Sequence, residues 1–384
     1  MIVGAGISGL AAAVALERRG HTVRVIEERA DVSTGAAISI WPNALAALDA
    51  IGLGDAVRDA GGSVTAGSVR WSNGRWLRHP DADRMTRALG EPLVVLRRAA
   101  LMDVLASALA PETLQFGGAA TRVTAGAGAV RVESSAGQAH EASALIGADG
   151  TRSMVARWLN GPLQDRYAGY TAWRGIANIG IDRDLAGETL GPGVEVGHVP
   201  LGSDHTYWFA TERVAEGQQN DDELAHLRTR LAAWPDPIPE LLAATDTRDL
   251  IRNDIYDRQT ARRWSRGSAV IIGDAAHPMR PHLGQGGCQG LEDAAILAAL
   301  VDADTDLPTA FARFADIRKR RTRPIVRESR RIGQVMNLRP DWLGATAARA
   351  SALVPEPVLT RHLAAIASRQ AFGASALLGD ASRS

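Results

Sequence analysis

"MIVGAGISGLAAAVALERRGHTVRVIE", residues 1–27, decides the fold of this chain. Residues 1–3 are apolar and predict the end of a strand, residues 4–9 read G-x-G-x-x-G, and residues 10–19 predict a helix. The stretch lacks a basic leader and is shorter than the roughly 20 apolar residues that cross a bilayer. It therefore predicts a strand, a tight turn and a helix, whose first strand is short enough that we expect the natural start upstream.

The three glycines of the loop have different roles in this motif. The first permits the tight turn, the second lets a diphosphate approach the backbone, and the third lets the helix pack on the strand; they are Gly4, Gly6 and Gly9. A second strand, "HTVRVIE", ends at Glu27, where an acid can bind the hydroxyl pair of a ribose. The loop, the strand and the acid together favour a dinucleotide site over a merely glycine-rich turn.

Composition limits the partners of the chain. Its 384 residues suit about two domains, and 43 basic residues balance 43 acidic ones. No net charge favours nucleic acid or a membrane surface, and the single cysteine, Cys288, suits a reducing compartment. We therefore expect a cytoplasmic monomer or homodimer with a small-molecule substrate, no nucleic acid, no stable membrane association and no metal.

The middle of the chain is rich in predicted strands. "SVRWSNGRWLRH" predicts a hairpin that turns at Asn73-Gly74, and "TRVTAGAGAVRVESS" predicts a strand, a turn and a strand. Residues 167–257 alternate as short β-runs with one polar helix near residues 221–233. This pattern predicts a β-rich unit inserted into the dinucleotide-binding domain.

Two further motifs follow in order along the chain. "GADGTRS" covers residues 147–153, and "GDAAHPMRPHLGQGGCQGLEDA" covers residues 273–294. The second motif follows a buried strand and leads into a helix that we predict to start near Gln289, whose free N–H groups can stabilise negative charge.

The three ordered motifs resemble the FAD-dependent aromatic hydroxylases of the para-hydroxybenzoate hydroxylase type. The resemblance implies an α/β fold: a Rossmann-like FAD-binding domain of the GR2 type, an inserted β-sheet substrate domain and C-terminal helices. The implied bounds are 1–70, 96–163 and 262–335 for the FAD-binding domain, 71–95 and 164–261 for the substrate domain, and 336–384 for the helical end.

The resemblance also implies residue roles at the cofactor. The diphosphate would lie at the three loop glycines and the AMP ribose at Glu27. The remaining positions that match cofactor contacts are Arg98, Val123 beside the adenine, Asp149, Gly150, Asp274 at the ribitol, and Gly284, Gly286 and Gly287 around the ring system.

The implied reaction has two halves. NADH or NADPH reduces FAD, and O2 then gives a flavin C4a-hydroperoxide that transfers OH to an electron-rich carbon of an aromatic or heteroaromatic ring. Pro281 and His282 would lie against the flavin, and Tyr207 matches the family's substrate pocket. The other loop histidine, His277, is interpreted as structural.

"GAAISIWPN" and "YAGYTAWRG" resemble the branch with urate and 3-hydroxybenzoate 6-hydroxylases. Counting back from Tyr207, Glu195 stands where a urate-type enzyme is expected to carry an arginine, which disfavours urate. Two alternatives remain open: a flavin epoxidase or tailoring oxygenase for an isoprenoid, polyketide or antibiotic, and a non-catalytic FAD-fold binding protein.

The basic run from Arg318 to Arg331 has no interleaved aromatic residues, so we interpret it as a solvated helix face and not as a nucleic-acid site.

Overall fold

A six-stranded sheet carries the N-terminal motif. The computed structural model describes residues 1–30, 35–65, 67–126, 128–301 and 306–380. Nineteen strands lie in these residues, in chain order: β1 (Ile2–Val3), β2 (Val25–Glu27), β3 (Ala37–Ile40), β4 (Gly62–Val64), β5 (Val69–Trp71), β6 (Trp76–Arg78), β7 (Leu93–Arg97), β8 (Leu114–Phe116), β9 (Ala120–Ala125), β10 (Val130–Ser134), β11 (Ala139–Ala142), β12 (Leu145–Gly147), β13 (Asp165–Ala177), β14 (Gly187–Gly191), β15 (Val194–Leu201), β16 (His205–Glu212), β17 (Ile251–Arg258), β18 (Ser265–Arg266) and β19 (Ala269–Ile271).

Thirteen α-helices lie in the same residues: α1 (Ile7–Glu17), α2 (Pro42–Ala50), α3 (Gly54–Ala60), α4 (Ala82–Leu89), α5 (Arg98–Ser107), α6 (Met154–Asn160), α7 (Glu223–Arg230), α8 (Ile238–Ala243), α9 (Gly286–Leu300), α10 (Leu307–Met336), α11 (Asp341–Ala350), α12 (Glu356–Ala367) and α13 (Arg369–Asp380). Of the helices that the structure describes, none is both long and apolar enough to cross a bilayer.

The N-terminal sheet has the strand order β18-β19-β12-β1-β2-β8 and is parallel except at β18. Its central strands are continuous apolar runs, as expected for strands that are covered on both faces. α1 packs against α9, and both are buried among small and aliphatic residues. α1 begins three residues before the predicted start at Leu10, because the last part of the glycine loop is already helical after Gly6.

The second large sheet is the predicted β-rich insert. Its order is β17-β13-β16-β15-β14-β5-β6, and the predicted hairpin of β5 and β6 lies at its edge. The second predicted hairpin, β9 with β10, is also confirmed and lies in a separate three-stranded sheet of order β11-β10-β9. One face of this sheet packs on α7 and α8 through Trp173 and Trp208. The other face carries Ile176, Tyr207 and Leu201 and packs towards β4 and β7. The fold is therefore the expected α/β architecture with a β-sheet domain beside the dinucleotide-binding sheet.

A small sheet of order β3-β7-β4 joins the two parts of the fold. Its central strand, β7, spans the predicted domain boundary between residues 95 and 96. The predicted domain boundaries therefore stay a prediction. The strands of each large sheet are those given above.

Candidate active site

The glycine loop between β1 and α1 is closely packed at two of its glycines and open at the third. Gly4 has φ +100°, and a Cβ there would lie 2.4 Å from the Ala148 carbonyl oxygen. A Cβ at Gly9 would lie 1.9 Å from the Gly4 oxygen, whereas a Cβ at Gly6 would meet no protein atom within 4 Å. The open side at Gly6 is where a ligand can reach the backbone.

The acid at the end of β2 is tied to this loop. One carboxylate oxygen of Glu27 accepts a hydrogen bond from the Ala5 backbone nitrogen at 2.7 Å, and the other accepts one from the Arg29 nitrogen at 3.0 Å. These two bonds hold the carboxylate at the mouth of the loop. Each oxygen keeps a lone pair with which it can accept a bond from a ribose hydroxyl.

A groove of about 320 Å³ runs over the loop and the acid. Its lining includes the loop glycines, the acid and parts of two other strand ends, among them Gly4, Gly6, Glu27, Arg98, Ala119 and Gly150. The carboxyl ends of parallel strands meet at this edge, which is where open α/β sheets bind ligands.

Arg98 begins α5 and sends its guanidinium into the groove. Within the described part of the chain, no hydrogen bond reaches that guanidinium, and burial lowers its pKa while the charge of Asp274 opposes the shift. Protein surrounds Asp274 closely enough to raise the pKa of its carboxyl, although the residue remains exposed to solvent. Arg98 and Asp274 are thus close enough for their charges to interact, without a direct ion pair.

Asp149 is held differently from Asp274. Its carboxylate accepts bonds from the Ser153 hydroxyl at 2.5 Å and from the backbone nitrogens of Met154 and Val155 at 2.7 and 3.1 Å. It therefore closes the start of α6, and it reaches the groove only as a lining residue. Val123 has its side chain buried in β9, so any contact of Val123 with a cofactor would come from its backbone.

The loop before α9 is a second closely packed glycine segment. Gly284 has φ +60°, and a Cβ there would lie 2.8 Å from Nε1 of Trp41. α9 starts at Gly286 and not near Gln289 as the sequence predicted, because Gly286 and Gly287 themselves form its first turn. A Cβ at Gly286 would lie 3.9 Å from Asp274 Oδ1. The helix N-terminus and Asp274 therefore share one region. Because the charge of Asp274 also reaches Arg98 in the groove, this region adjoins the groove, and the residues of both fit the two ends of an FAD molecule.

A buried ionic cluster links α9 to α10. Arg318 of α10 donates to Glu292 and Asp293 at 2.5 Å each, and Asp293 also pairs with His277 at 2.6 Å. The interpretation of the basic run as a solvated face is thus wrong for Arg318, whose side chain is fully buried. Its charge is compensated by two carboxylates supplied by α9. In this cluster His277 has the structural role that was expected of it.

The sheet face that carries Tyr207 is where the sequence predicted the substrate pocket. The register pairs Ile176 with Tyr207 and Arg174 with Phe209, so these side chains share one face, while Trp173 packs on the opposite face. Burial raises the pKa of Tyr207, and the nearby Arg174 guanidinium opposes that shift. The alternation predicted for β13 is therefore confirmed from Tyr170 to Gly175.

His282 connects this sheet face to the loop before α9. Its Nδ1 lies 3.1 Å from Glu195 Oε2, and its Nε2 lies 2.9 Å from the Tyr170 hydroxyl. All three side chains are almost completely buried. Pro281 and His282 form a short 3-10 turn that ends at Gly284. The sequence placed Glu195 and His282 near the site separately, but it gave no sign that they touch.

Glu188 stands on the same sheet face as Glu195, and sequence reasoning did not single it out. β14 pairs with β15 so that Glu188 stands opposite Gly197 and Leu190 opposite Glu195, which puts both glutamates on one face. Burial, and then the charge of Glu195, raises the pKa of Glu188 to about 8. Only the register across the two strands, and not the spacing along the chain, could have found this pair.

The glycine groove and the adjoining sheet face define an FAD-dependent monooxygenase of the aromatic hydroxylase type. The chain belongs to the family described as FAD binding domain, whose model matches residues 1–303.

Two relatives and one solved structure illustrate this membership. The chain is 37% identical over 339 residues to an aurachin C monooxygenase/isomerase of Stigmatella aurantiaca, covering 87% of this chain and 88% of that protein. It is 32% identical over 351 residues to a 3-amino-4-hydroxybenzoate 2-monooxygenase of Streptomyces cremeus, covering 88% of each. The crystal structure of Klebsiella pneumoniae HpxO with FAD and uric acid is similar with a TM-score of 0.88 at 28% identity, covering 95% of each chain.

Proposed function

We propose that this monooxygenase uses NADH or NADPH and O2 to hydroxylate a small aromatic or heteroaromatic molecule that lies on the Tyr207 face of the large sheet. One observation carries the proposal: His282, in the loop before α9, hydrogen-bonds Glu195 and Tyr170 of that sheet. A ring bound on this face would lie next to the loop that we propose to contact the flavin.

The residues of the groove would bind FAD in an extended form. Arg98 and the backbone at Gly6 would hold the diphosphate, Glu27 the ribose of the AMP half, and Asp274 the ribitol. Gly150, Gly284, Gly286 and Gly287 let the backbone approach the cofactor. When bound, FAD accepts electrons from the nicotinamide donor and activates O2.

The protein's own contribution is to orient the ring and to exclude water. The apolar side chains of the sheet face, including Ile176 and Phe209, exclude solvent, and Tyr207 and Arg174 offer polar contacts at one end. Glu195 takes the place of an expected arginine, which removes a cation that a urate anion would use. We therefore propose a substrate other than urate.

The test uses the purified chain reconstituted with FAD. We expect a yellow protein whose NADH or NADPH oxidation accelerates with one member of a panel of phenolic and heteroaromatic compounds, with one 18O atom from 18O2 in the product by mass spectrometry. NMR of the product separates ring hydroxylation from epoxidation of a double bond.

Tyr207→Phe is expected to raise KM and the fraction of electrons released as peroxide. Tyr256→Phe, at an exposed tyrosine of β17, is the matched control and should leave both values unchanged. A colourless protein that binds no added FAD, or a bound flavin that NADH and NADPH leave oxidised, contradicts the proposal.

A further inference from the structure

The Tyr207 face carries a pair of carboxyl groups, of which Glu195 is buried and Glu188 is half-buried. Glu195 is almost completely buried, and one of its oxygens, Oε2, is bonded to His282. In the described residues, Oε1 of Glu195 has no hydrogen-bond partner, nor does the carboxyl of Glu188. Oε1 of Glu195 is thus available to accept a hydrogen bond from a ligand on this face.

The partners of Glu195 lie on one side of it. Tyr170 bonds the far nitrogen of His282, and Arg280 lies over the Tyr170 ring at 5.6 Å while donating to Asp257 at 2.7 Å. On α10, a Cβ at Gly333 would lie 2.6 Å from His282 Nε2, so this glycine makes room for the histidine. The imidazole is thereby fixed, and with it the orientation of the Glu195 carboxylate.

On the side away from His282, Glu195 has an apolar neighbour on the adjacent strand. Leu190, its direct cross-strand neighbour, packs with Trp71 against the ends of α10 and α11 and forms an apolar wall. Arg174, a cation on this face, lies on β13, two strands away from Glu195. Thr211 of β16, the strand between them, stands directly opposite Glu195. The face is thus cationic at the Tyr207 end and acidic at the Glu195 end.

We propose that Glu195 Oε1 accepts the hydrogen of a ring hydroxyl or ring N–H of the substrate and takes that proton during hydroxylation, with His282 and Tyr170 as positioning residues. This inference rests on the proposed function and names its substrate class: a neutral hydroxyarene or hydroxy-heteroarene that presents a donor to the acidic end. The O–H (or N–H) bond of the ring breaks, an O–H bond forms on Glu195, and the electron pair stays on the ring as an electron-rich oxyanion or its nitrogen equivalent.

Glu188 completes this acidic end of the face. Because its pKa lies at about 8, its carboxyl is mostly protonated at neutral pH and can donate a hydrogen bond to the substrate. Glu188 then adds no negative charge to this end of the face. The other charged or titratable groups of the surroundings are His282 and Arg280 in the loop, Tyr170 and Arg174 on β13, Asp257 on β17 and Arg330 on α10.

The test compares ring donors with their methyl ethers on the FAD-loaded protein. Two matched pairs are titrated by calorimetry: 3-hydroxybenzamide against 3-methoxybenzamide, and 6-hydroxyquinoline against 6-methoxyquinoline. A hydrogen bond to a charged group contributes about 1.5–3 kcal/mol, so at least one hydroxy compound should bind about 10-fold to 100-fold more tightly than its ether.

Glu195→Gln keeps the shape of the site and removes the charge, so it should reduce this preference at least fivefold. Glu212→Gln is the matched control, because Glu212 also pairs with a histidine, His226, at 2.8 Å, but its strand position puts it opposite Val194 on the other face. It should leave the preference unchanged. An unchanged preference in Glu195→Gln, or the absence of binding by both hydroxy compounds, overturns the proposal.

The positioning roles have their own readout. His282→Asn and Tyr170→Phe should lower kcat more than they raise KM, because each variant weakens the hydrogen bonds that orient the Glu195 carboxylate and leaves the contacts that bind the ring. A rise in KM with unchanged kcat contradicts these two roles. FAD content and substrate-free NADH or NADPH oxidation are measured in the wild type and in every variant. If the wild type lacks both, the proposed function is contradicted. If both are present and Glu195→Gln keeps the preference for hydroxy compounds, only this inference is contradicted.

Discussion

The Glu27 carboxylate accepts a hydrogen bond from the Ala5 backbone nitrogen at 2.7 Å. This bond joins the end of β2 to the glycine loop before α1, so the two halves of the dinucleotide motif are rigidly connected. A ligand that bridges the loop and the acid meets a preorganised site, and preorganisation reduces the entropy that binding costs.

The glycines of this loop should separate folding from cofactor binding. Gly6→Ala adds a Cβ into space that no protein atom occupies, so we expect unchanged thermal unfolding of the FAD-free protein and at least tenfold weaker FAD binding. Gly9→Ala is the contrasting variant: its Cβ meets the Gly4 oxygen at 1.9 Å and should destabilise the fold by about 1–3 kcal/mol. Flavin fluorescence titration and thermal unfolding measure the two effects, and wild-type FAD affinity in Gly6→Ala would contradict this assignment.

Arg98 should contribute to FAD affinity through charge. Arg98→Met keeps much of the side-chain volume and removes the guanidinium that faces the groove, so FAD binding should weaken by roughly 10-fold to 100-fold. The neighbouring Arg97 is exposed at the end of β7, and Arg97→Met is the control that should bind FAD normally. Equal affinities of the two variants, measured by equilibrium titration, would exclude a direct role for Arg98.

The buried Arg318 should be important for stability. Arg318→Met leaves Glu292 and Asp293 buried with fewer partners, which typically costs about 3–5 kcal/mol in the free energy of unfolding. Arg320→Met changes an exposed residue of the same helix and should alter it by less than about 0.5 kcal/mol. Urea unfolding of both variants measures the difference, and a loss below about 1 kcal/mol in Arg318→Met would show that the cluster is not needed.

Glu188 should make stability depend on pH. Its pKa is about 8 in the folded chain and near 4.5 when unfolded, so its protonated form favours folding, and this contribution is complete below about pH 4.5 and lost as pH rises to about 8. The free energy of unfolding of the wild type should therefore fall, relative to Glu188→Gln, between pH 5 and pH 8.5. Glu240→Gln, at an exposed position of α8, should run parallel to the wild type. Parallel curves for Glu188→Gln as well would mean that Glu188 ionises normally.

Much of the cofactor half of the fold could be predicted from the sequence. The strand, glycine loop and helix at residues 2–17 form from local spacing, and the hairpin between β5 and β6 forms at the predicted Asn73-Gly74 turn. Such features depend on steric and hydrogen-bond preferences of residues close together in the chain. The start of α9 was placed three residues late, because the sequence pattern gives no signal that glycines will form a helical turn.

Only the tertiary structure brings together the residues of the proposed substrate side. His282 meets Glu195 across 87 residues and Tyr170 across 112 residues, and Glu188 stands beside Glu195 only because β14 and β15 pair in one register. Arg318 is buried because α9 offers two carboxylates to it, although its neighbours in sequence suggest a solvated face. The sequence by itself determined the family fold and the FAD groove, since their motifs are local. The acidic end of the site needed the structure, because strand register and burial depend on contacts between distant residues.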